Sequence, residues 1–281
     1  MRVLALGDIC GSIGRQAIKS RIPYLREELN IDFVIANGEN SAGGVGITTS
    51  TINEILNAKI DCITGGNHSW KNREVYDKFD SEQRVLRPQN YPEPAPGRGA
   101  NIYILPDGKK IAVLNIQGTT FMESLPCPFQ AAFDFVNSLD DDIIFRFVDF
   151  HAEATSEKKA MGFALDGKVS AVFGTHTHVQ TADAQILPNG TAYMTDLGMC
   201  GVELSCLGMS FESVLPRFLH KRPSSFKRAV GQGALNGLLM DLDDNTGKAI
   251  SVSLFRENSP RTQVTILDLS EKNEQITKDD E

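Results

Sequence analysis

Met1-Arg2-Val3-Leu4-Ala5-Leu6-Gly7-Asp8 and Ile31-Asp32-Phe33-Val34-Ile35-Ala36-Asn37-Gly38-Glu39-Asn40 decide the fold. Each is a short continuous apolar run that closes on Gly and polar residues. Between them Ile18, Ile22, Leu25 and Leu29 recur at helical spacing, which predicts a helix over about 13–29. Pro23 must kink that helix or lie near one of its ends. A second helix is expected over 48–58, where Ile52, Ile55 and Leu56 share a face and Thr or Ser supplies the cap. A third strand, Asp61 to Thr64, closes on Gly65-Gly66-Asn67-His68. Uninterrupted apolar strands joined through helices are buried on both faces, so the first third reads as a parallel sheet covered by helices.

Further along, a Pro-rich extended connection over 87–99 leads into a hairpin, Asn101 to Leu105 and Lys110 to Ile116, turning at Pro106-Asp107-Gly108. A helix follows over 129–139. Strands are expected over 143–150 and 169–173, then over 184–187, 191–195, 238–242, 249–255 and 262–267. The hairpins after residue 100 need their own layer. The expected fold is therefore α/β, two mixed sheets face to face with helices outside, an α/β/β/α sandwich in preference to one open sheet. One domain is expected over 1–268, with a polar tail over 269–281.

The 281 residues are 41% hydrophobic and 23% charged, values that exclude a collagen, a coiled coil and a wholly disordered chain. Acidic residues outnumber basic ones by 36 to 28, so an extended nucleic-acid surface is not expected, although a local nucleotide site is compatible. No apolar run reaches the roughly 18 residues of a membrane span. The N-terminus lacks a signal-peptide pattern. Cys10, Cys62, Cys127, Cys200 and Cys206 are scattered and odd in number, which reads as reduced thiols in a cytoplasmic protein. Homo-oligomerisation stays open.

Five strands end in ligand-type residues: Asp8, Glu39-Asn40, Asn67-His68, His151, and His176 with His178. Open α/β sheets bind ligands at the carboxyl ends of their strands, so these residues are expected to converge. Of the five histidines only His220 falls elsewhere. Singly each has an ordinary reading: Gly7-Asp8 a turn or cap, His151 a satisfied buried histidine. Together they read as a metal site. Carboxylates and imidazoles suit Mn, Fe or Zn, and the cysteines are not clustered for a thiolate site. His176 and His178, two apart in an extended segment, would project to one side and each bind one of two metals ~3.5–4 Å apart. Glu39 is best placed to bridge them. Two divalent cations against Asp8 and Glu39 leave a net positive core, as attraction of a phosphodiester requires.

Gly66-Asn67-His68 and Gly174-Thr175-His176-Thr177-His178 resemble two signatures of the calcineurin-like metallophosphoesterases, with His151 as an isolated motif between them. Gly7-Asp8-Ile9-Cys10-Gly11-Ser12-Ile13-Gly14-Arg15 and Asn37-Gly38-Glu39-Asn40 resemble the narrower YmdB-like family of bacterial phosphodiesterases. Two departures from the superfamily, Asp8-Ile9-Cys10 for Asp-x-His and Gly38-Glu39-Asn40 for Gly-Asp, are shared by that family. Cys10 is weighed as a soft ligand, although a small packing residue suffices there. The resemblance implies the metallophosphoesterase sandwich and two divalent ions, Fe or Mn, with Zn compatible. Asp8, Glu39, Asn40 and His178 would hold one ion; Glu39, Asn67, His151 and His176 would hold the other. His68 would act as acid toward the leaving oxygen, a metal-bridging hydroxide would be the nucleophile, and the substrate would be a small phosphodiester, notably a 2′,3′-cyclic nucleotide. The alternatives are a phosphomonoesterase or nucleotidase on the same core, which needs more positive charge than Arg15 and Lys71 offer, and a regulatory protein that uses the metals structurally. Trp70 is expected either to stack on a base or to pack beneath the site, and the loop 118–128 either to roof the pocket or to pack at the surface.

Overall fold

Successive strand residues point to opposite faces of a sheet, and burial sorts them into layers. The computed structural model describes residues 1–258; the strand expected over 262–267, the boundary at 268 and the polar tail lie outside the described residues. In β1 (Arg2–Ile9), Val3 and Ala5 enter one apolar cluster while Leu4 and Leu6 enter another. In β2 (Phe33–Asn37), Phe33 and Ile35 join the first, and Val34 and Ala36 the second. The same alternation separates Phe145 and Phe147 from Val148 and Phe150 in β6 (Phe145–His151), and Ala171 and Phe173 from Val172 in β7 (Ala171–Thr175).

Three clusters therefore correspond to three interfaces between four layers. The middle cluster joins two sheets: Val3, Ala5, Phe33 and Ile35 meet Val113, Phe145, Phe147, Ala171 and Phe173. One outer cluster packs α1 (Gly11–Glu28) and α2 (Thr49–Asn57) on the first sheet. The other packs α4 (Pro128–Ser138) and α5 (Thr155–Ala164) on the second. Between α2 and α4 lies α3 (Tyr76–Ser81), and α6 (Phe211–His220) comes late in the chain. A side chain such as Phe147, fully buried between the sheets, contributes about 1.5–3 kcal/mol by leaving water.

The remaining strands are β3 (Cys62–Thr64), β4 (Ala100–Ile104), β5 (Lys110–Gln117), β8 (Gln185–Ile186), β9 (Ala192–Met194), β10 (Met199–Val202), β11 (Gly233–Leu242) and β12 (Ala249–Asn258). The first sheet runs β12-β11-β10-β1-β2-β3 and the second β4-β5-β6-β7-β9-β8. In the first, β10, β1, β2 and β3 are parallel and β11 and β12 antiparallel. In the second, β5, β6, β7 and β9 are parallel between antiparallel edges.

The expected sandwich, the parallel start and the hairpin β4–β5 are all present. Pro23 lies inside α1, which continues to Glu28. The α2 cap is Thr48, whose Oγ1 accepts the Thr51 N–H while Thr51 Oγ1 accepts the Thr48 N–H. Three helices and β10 were not expected from the sequence. Of these, α5 carries Lys158, fully buried, where a solvated face would be read.

Candidate metal centre

The carboxyl ends of β1, β2, β3, β6 and β7 meet, and they bring the eight expected site residues together. His151 Nε2 lies 3.0 Å from Asn67 Oδ1, 3.1 Å from His176 Nδ1 and 3.3 Å from Glu39 Oε1. The ligand atoms of Glu39, His151 and His176 all lie within 4.8 Å of one another, close enough to hold a metal ion. Beside them, Asp8 Oδ1 is 3.6 Å from His178 Nε2 and 3.4 Å from Asn40 Nδ2. Asn40 Nδ2 is 3.1 Å from His178 Nε2 and 3.1 Å from Glu39 Oε1. Glu39 Oε1 thus touches both halves of the cluster.

The donor count shows what fits there. One imidazole nitrogen carries at most one proton, yet His151 Nε2 faces an amide oxygen, a carboxylate oxygen and a second imidazole. Its other nitrogen is engaged: Nδ1 lies 2.9 Å from Thr175 Oγ1, which donates to Asp149 Oδ1 at 2.7 Å. Thr64 also donates to Asp149. This chain fixes the ring and turns Nε2 toward the cluster, the arrangement a metal-binding histidine needs. Asp8, Glu39, Asn40 and His151 are at most 2% exposed. Converging lone pairs with too few hydrogens, on largely buried groups, suit a cation.

Electrostatics point the same way. Burial pushes Glu39 up, but His151 and His68 outweigh it and hold the carboxyl well below its usual range. Burial likewise opposes ionisation of Asp8, and His178 overcomes it. Burial, then the charge of His151, push His176 down to about 4, so at neutral pH its ring is uncharged and has a lone pair to give. His151 is raised: burial alone would lower it, and Glu39 more than compensates, so the buried carboxylates favour a positive charge at this point, which a cation would supply in place of the proton.

The expectation that His176 and His178 lie in an extended segment is corrected by the backbone. Their φ angles are +102° and +64°, in the left-handed region that costs an L side chain energy. The two rings therefore diverge by a turn and not by strand alternation. His176 Nδ1 joins the His151 half, and His178 Nε2 joins the Asp8 half. His68 is anchored to the cluster. Its N–H donates to Glu39 Oε2 at 2.7 Å, and its Nδ1 lies 2.9 Å from Asn40 Oδ1. Its side chain remains one-third exposed (33%).

Several participants escaped the sequence reading. Glu153 Oε2 sits 3.1 Å from His176 Nε2; a carboxylate two residues beyond a strand-end histidine was the available signal. Asn37 Oδ1 accepts the Glu39 N–H at 3.1 Å. Thr175 and Asp149 carry no signal of their own, because nothing in the chain pairs them with His151. Cys10 Sγ packs 3.7 Å from His178 Nδ1. Arg15 is committed to Glu54 at 2.6 Å and to Ser41 O at 2.5 Å. Trp70 packs on Tyr91, ring centroids 4.3 Å apart, and on Phe79. The loop 118–128 is tied down where the Thr119 and Thr120 N–H groups donate to Glu157, while Phe121 stays 89% exposed. No helix among the described residues is long and apolar enough to cross a membrane.

Two mixed sheets between helices, with Asp, Glu, Asn and His gathered at the strand ends, define a metallophosphoesterase-type fold. The model of the YmdB-like protein family matches residues 4–255, and the chain belongs to that family. It is 44% identical over 252 residues to a 2′,3′-cyclic-nucleotide 2′-phosphodiesterase of Bacillus subtilis (strain 168), covering 90% of this chain and 95% of that protein. Two solved structures are similar. A hypothetical protein from Thermus thermophilus has a TM-score of 0.87 at 38% identity, covering 92% of this chain and all of that one. A novel phosphatase from Mycoplasma pneumoniae has a TM-score of 0.86 at 32% identity, covering 92% and 93%.

Proposed function

We propose that this phosphodiesterase is a two-cation enzyme that opens 2′,3′-cyclic nucleotides. The observation that carries the reading is Glu39 Oε1, which lies within reach of both His151 Nε2 and Asn40 Nδ2 and so joins two ligand sets. Asp8, Glu39, Asn40 and His178 would hold one divalent ion, with the Asn40 amide turned over to offer its oxygen. Glu39, Asn67, His151 and His176 would hold the other. This N/O donor set suits Fe²⁺ or Mn²⁺, and Zn²⁺ is compatible. Bound cations would supply Lewis-acid charge and a water of lowered pKa. The family match over 4–255 supports one domain over that span of the proposed 1–268.

The chain's own groups then divide the work. The turn 176–178 and the buried Glu39 hold the ligand geometry, which costs no reorganisation during reaction. His68, anchored by its backbone N–H on Glu39 Oε2 and with Nδ1 against the Asn40 amide, leaves Nε2 to give a proton to the ribose oxygen that departs from phosphorus. Arg15, neutralised by Glu54, adds no free charge for the second negative charge of a monoester, which favours the diester reading.

Glu39→Gln tests it. Wild-type protein stripped by chelator and titrated with Mn²⁺ is expected to take two ions and to hydrolyse 2′,3′-cyclic nucleotides. The variant is expected to lose occupancy of both positions and its turnover. A variant that keeps two ions and full activity overturns the bridging assignment.

A further inference from the structure

Behind the His176-Thr177-His178 turn lies a buried ion pair that the chemistry above does not use. Lys158 Nζ, on α5, meets Asp196 Oδ2 at 2.7 Å, and each side chain is 1% exposed. Stability is a poor reason for such a pair: desolvating two charges offsets their attraction, and an apolar replacement is often neutral or stabilising.

The remaining bonds of the pair show a different use. Asp196 Oδ2 also accepts the Thr177 N–H at 3.0 Å, between the two histidines. Lys158 Nζ donates to Thr175 O at 2.9 Å, immediately before His176. Asp196 Oδ1 accepts the Gly198 N–H at 2.8 Å, and Gly198 O in turn accepts the Asp8 N–H at 3.1 Å. One carboxylate therefore grips the backbone that presents His176 and His178 from the second sheet, and through Gly198 the backbone that presents Asp8 from the first. Both histidines sit at positive φ, a conformation that persists only where its surroundings impose it.

We propose that the Lys158–Asp196 pair is a positioning device that sets the spacing between the two halves of the cluster. This rests on the two-cation reading. The hydrogen bonds of the pair run to each other and to backbone, and not to the ligand atoms of the cluster. The pair holds the His176–His178 turn against relaxation and fixes it to the end of β1. Partners behind first ligands typically alter metal affinity by roughly 10- to 100-fold when removed.

The test is Lys158→Met combined with Asp196→Asn, which removes both charges and replaces the carboxylate that accepts the Thr177 N–H by a weaker, neutral amide oxygen. Three quantities are measured on chelator-stripped protein: the thermal midpoint, Mn²⁺ affinity by calorimetry, and hydrogen exchange of the Thr177 amide. The expected result is a midpoint equal to or above wild type, a roughly 10- to 100-fold loss of Mn²⁺ affinity, and faster exchange at Thr177. Wild-type affinity with unchanged exchange overturns the inference. So does a collapse of the midpoint, which makes the pair a stability element. Wild-type protein that binds no Mn²⁺ would instead refute the two-cation reading, so the two failures are distinct.

Discussion

Gly66→Ala puts one methyl group into the middle of the cluster. An alanine Cβ at Gly66 would lie 2.3 Å from His151 Nε2 and 2.4 Å from Glu39 Oε2. Carbon contacts settle near 3.5–4 Å, so one or both groups must retreat by roughly 1 Å. Gly66 is absent from the glycines at positive φ, so the backbone accepts alanine and the effect is purely steric. Retreat is blocked on both sides. His151 is fully buried and pinned through Nδ1 to Thr175, and Glu39 is 1% exposed with its N–H on Asn37 Oδ1. Overpacking of this kind costs about 1–3 kcal/mol of stability, a midpoint shift of several degrees. The functional effect is larger, because a ~1 Å misplacement in a site can cost about 10²-fold in rate. Thermal unfolding, Mn²⁺ titration and hydrolysis of a 2′,3′-cyclic nucleotide are measured on one preparation. A folded variant that binds two ions and turns over at the wild-type rate would show that Glu39 and His151 are not where the chemistry happens.

His68→Ala is expected to keep its cations and lose about 10²-fold or more in kcat; equal rates would remove the acid role, and loss of ions would make His68 a support for Glu39. Chelation is expected to lower the thermal midpoint, because an ion at 100 times its Kd adds about 2.7 kcal/mol to the folded state; an unchanged midpoint would mean that no ion is bound. At the surface, Arg84 hydrogen bonds hold the Glu82 carboxyl down to about 2 from 4.5. A depressed carboxylate gives stability that is present above pH 4.5 and lost as pH falls through about 2. Glu82→Gln should therefore cost about 1 kcal/mol at pH 7, discounted for solvent screening, with the gap from wild type closing under acid in urea titrations. A gap that widens instead would contradict the ion-pair origin.

The layers were legible because burial on both faces leaves a mark in the chain. Phe33 to Ala36 are apolar without a break, since one sheet face meets the other sheet and the opposite face meets helices. The hairpin β4–β5 was legible for a different reason: Pro106-Asp107-Gly108 can only turn, and Gly108 sits at φ +86°. What escaped has a common cause. The helix α5 begins Thr155-Ser156-Glu157-Lys158-Lys159, which reads as a solvated polar segment, yet Glu157 and Lys158 are buried by partners on other elements. Charge is an unreliable sign of exposure wherever tertiary contacts satisfy it. β10 is brief and rich in small residues, and it exists because β1 and β11 pair with it from either side.

The site divides along the same line. Residues whose side chains enter the cluster were legible from type and position taken together, since five strands end in such groups although each alone has an ordinary reading. Residues that hold those side chains were not, because threonine, lysine and aspartate support histidines through contacts that cross 17 to 38 positions of sequence. The turn 176–178 shows the cost of reading local geometry without them. Alternation predicted two parallel side chains; a carboxylate at Asp8 and another at Asp196 instead pull on successive N–H groups and force two left-handed residues. That departure from strand geometry delivers one ring to each half of the cluster. Without the two carboxylates, Asp8 from the opposing sheet and Asp196 after β9, the segment would relax to the extended form and leave both rings on one side.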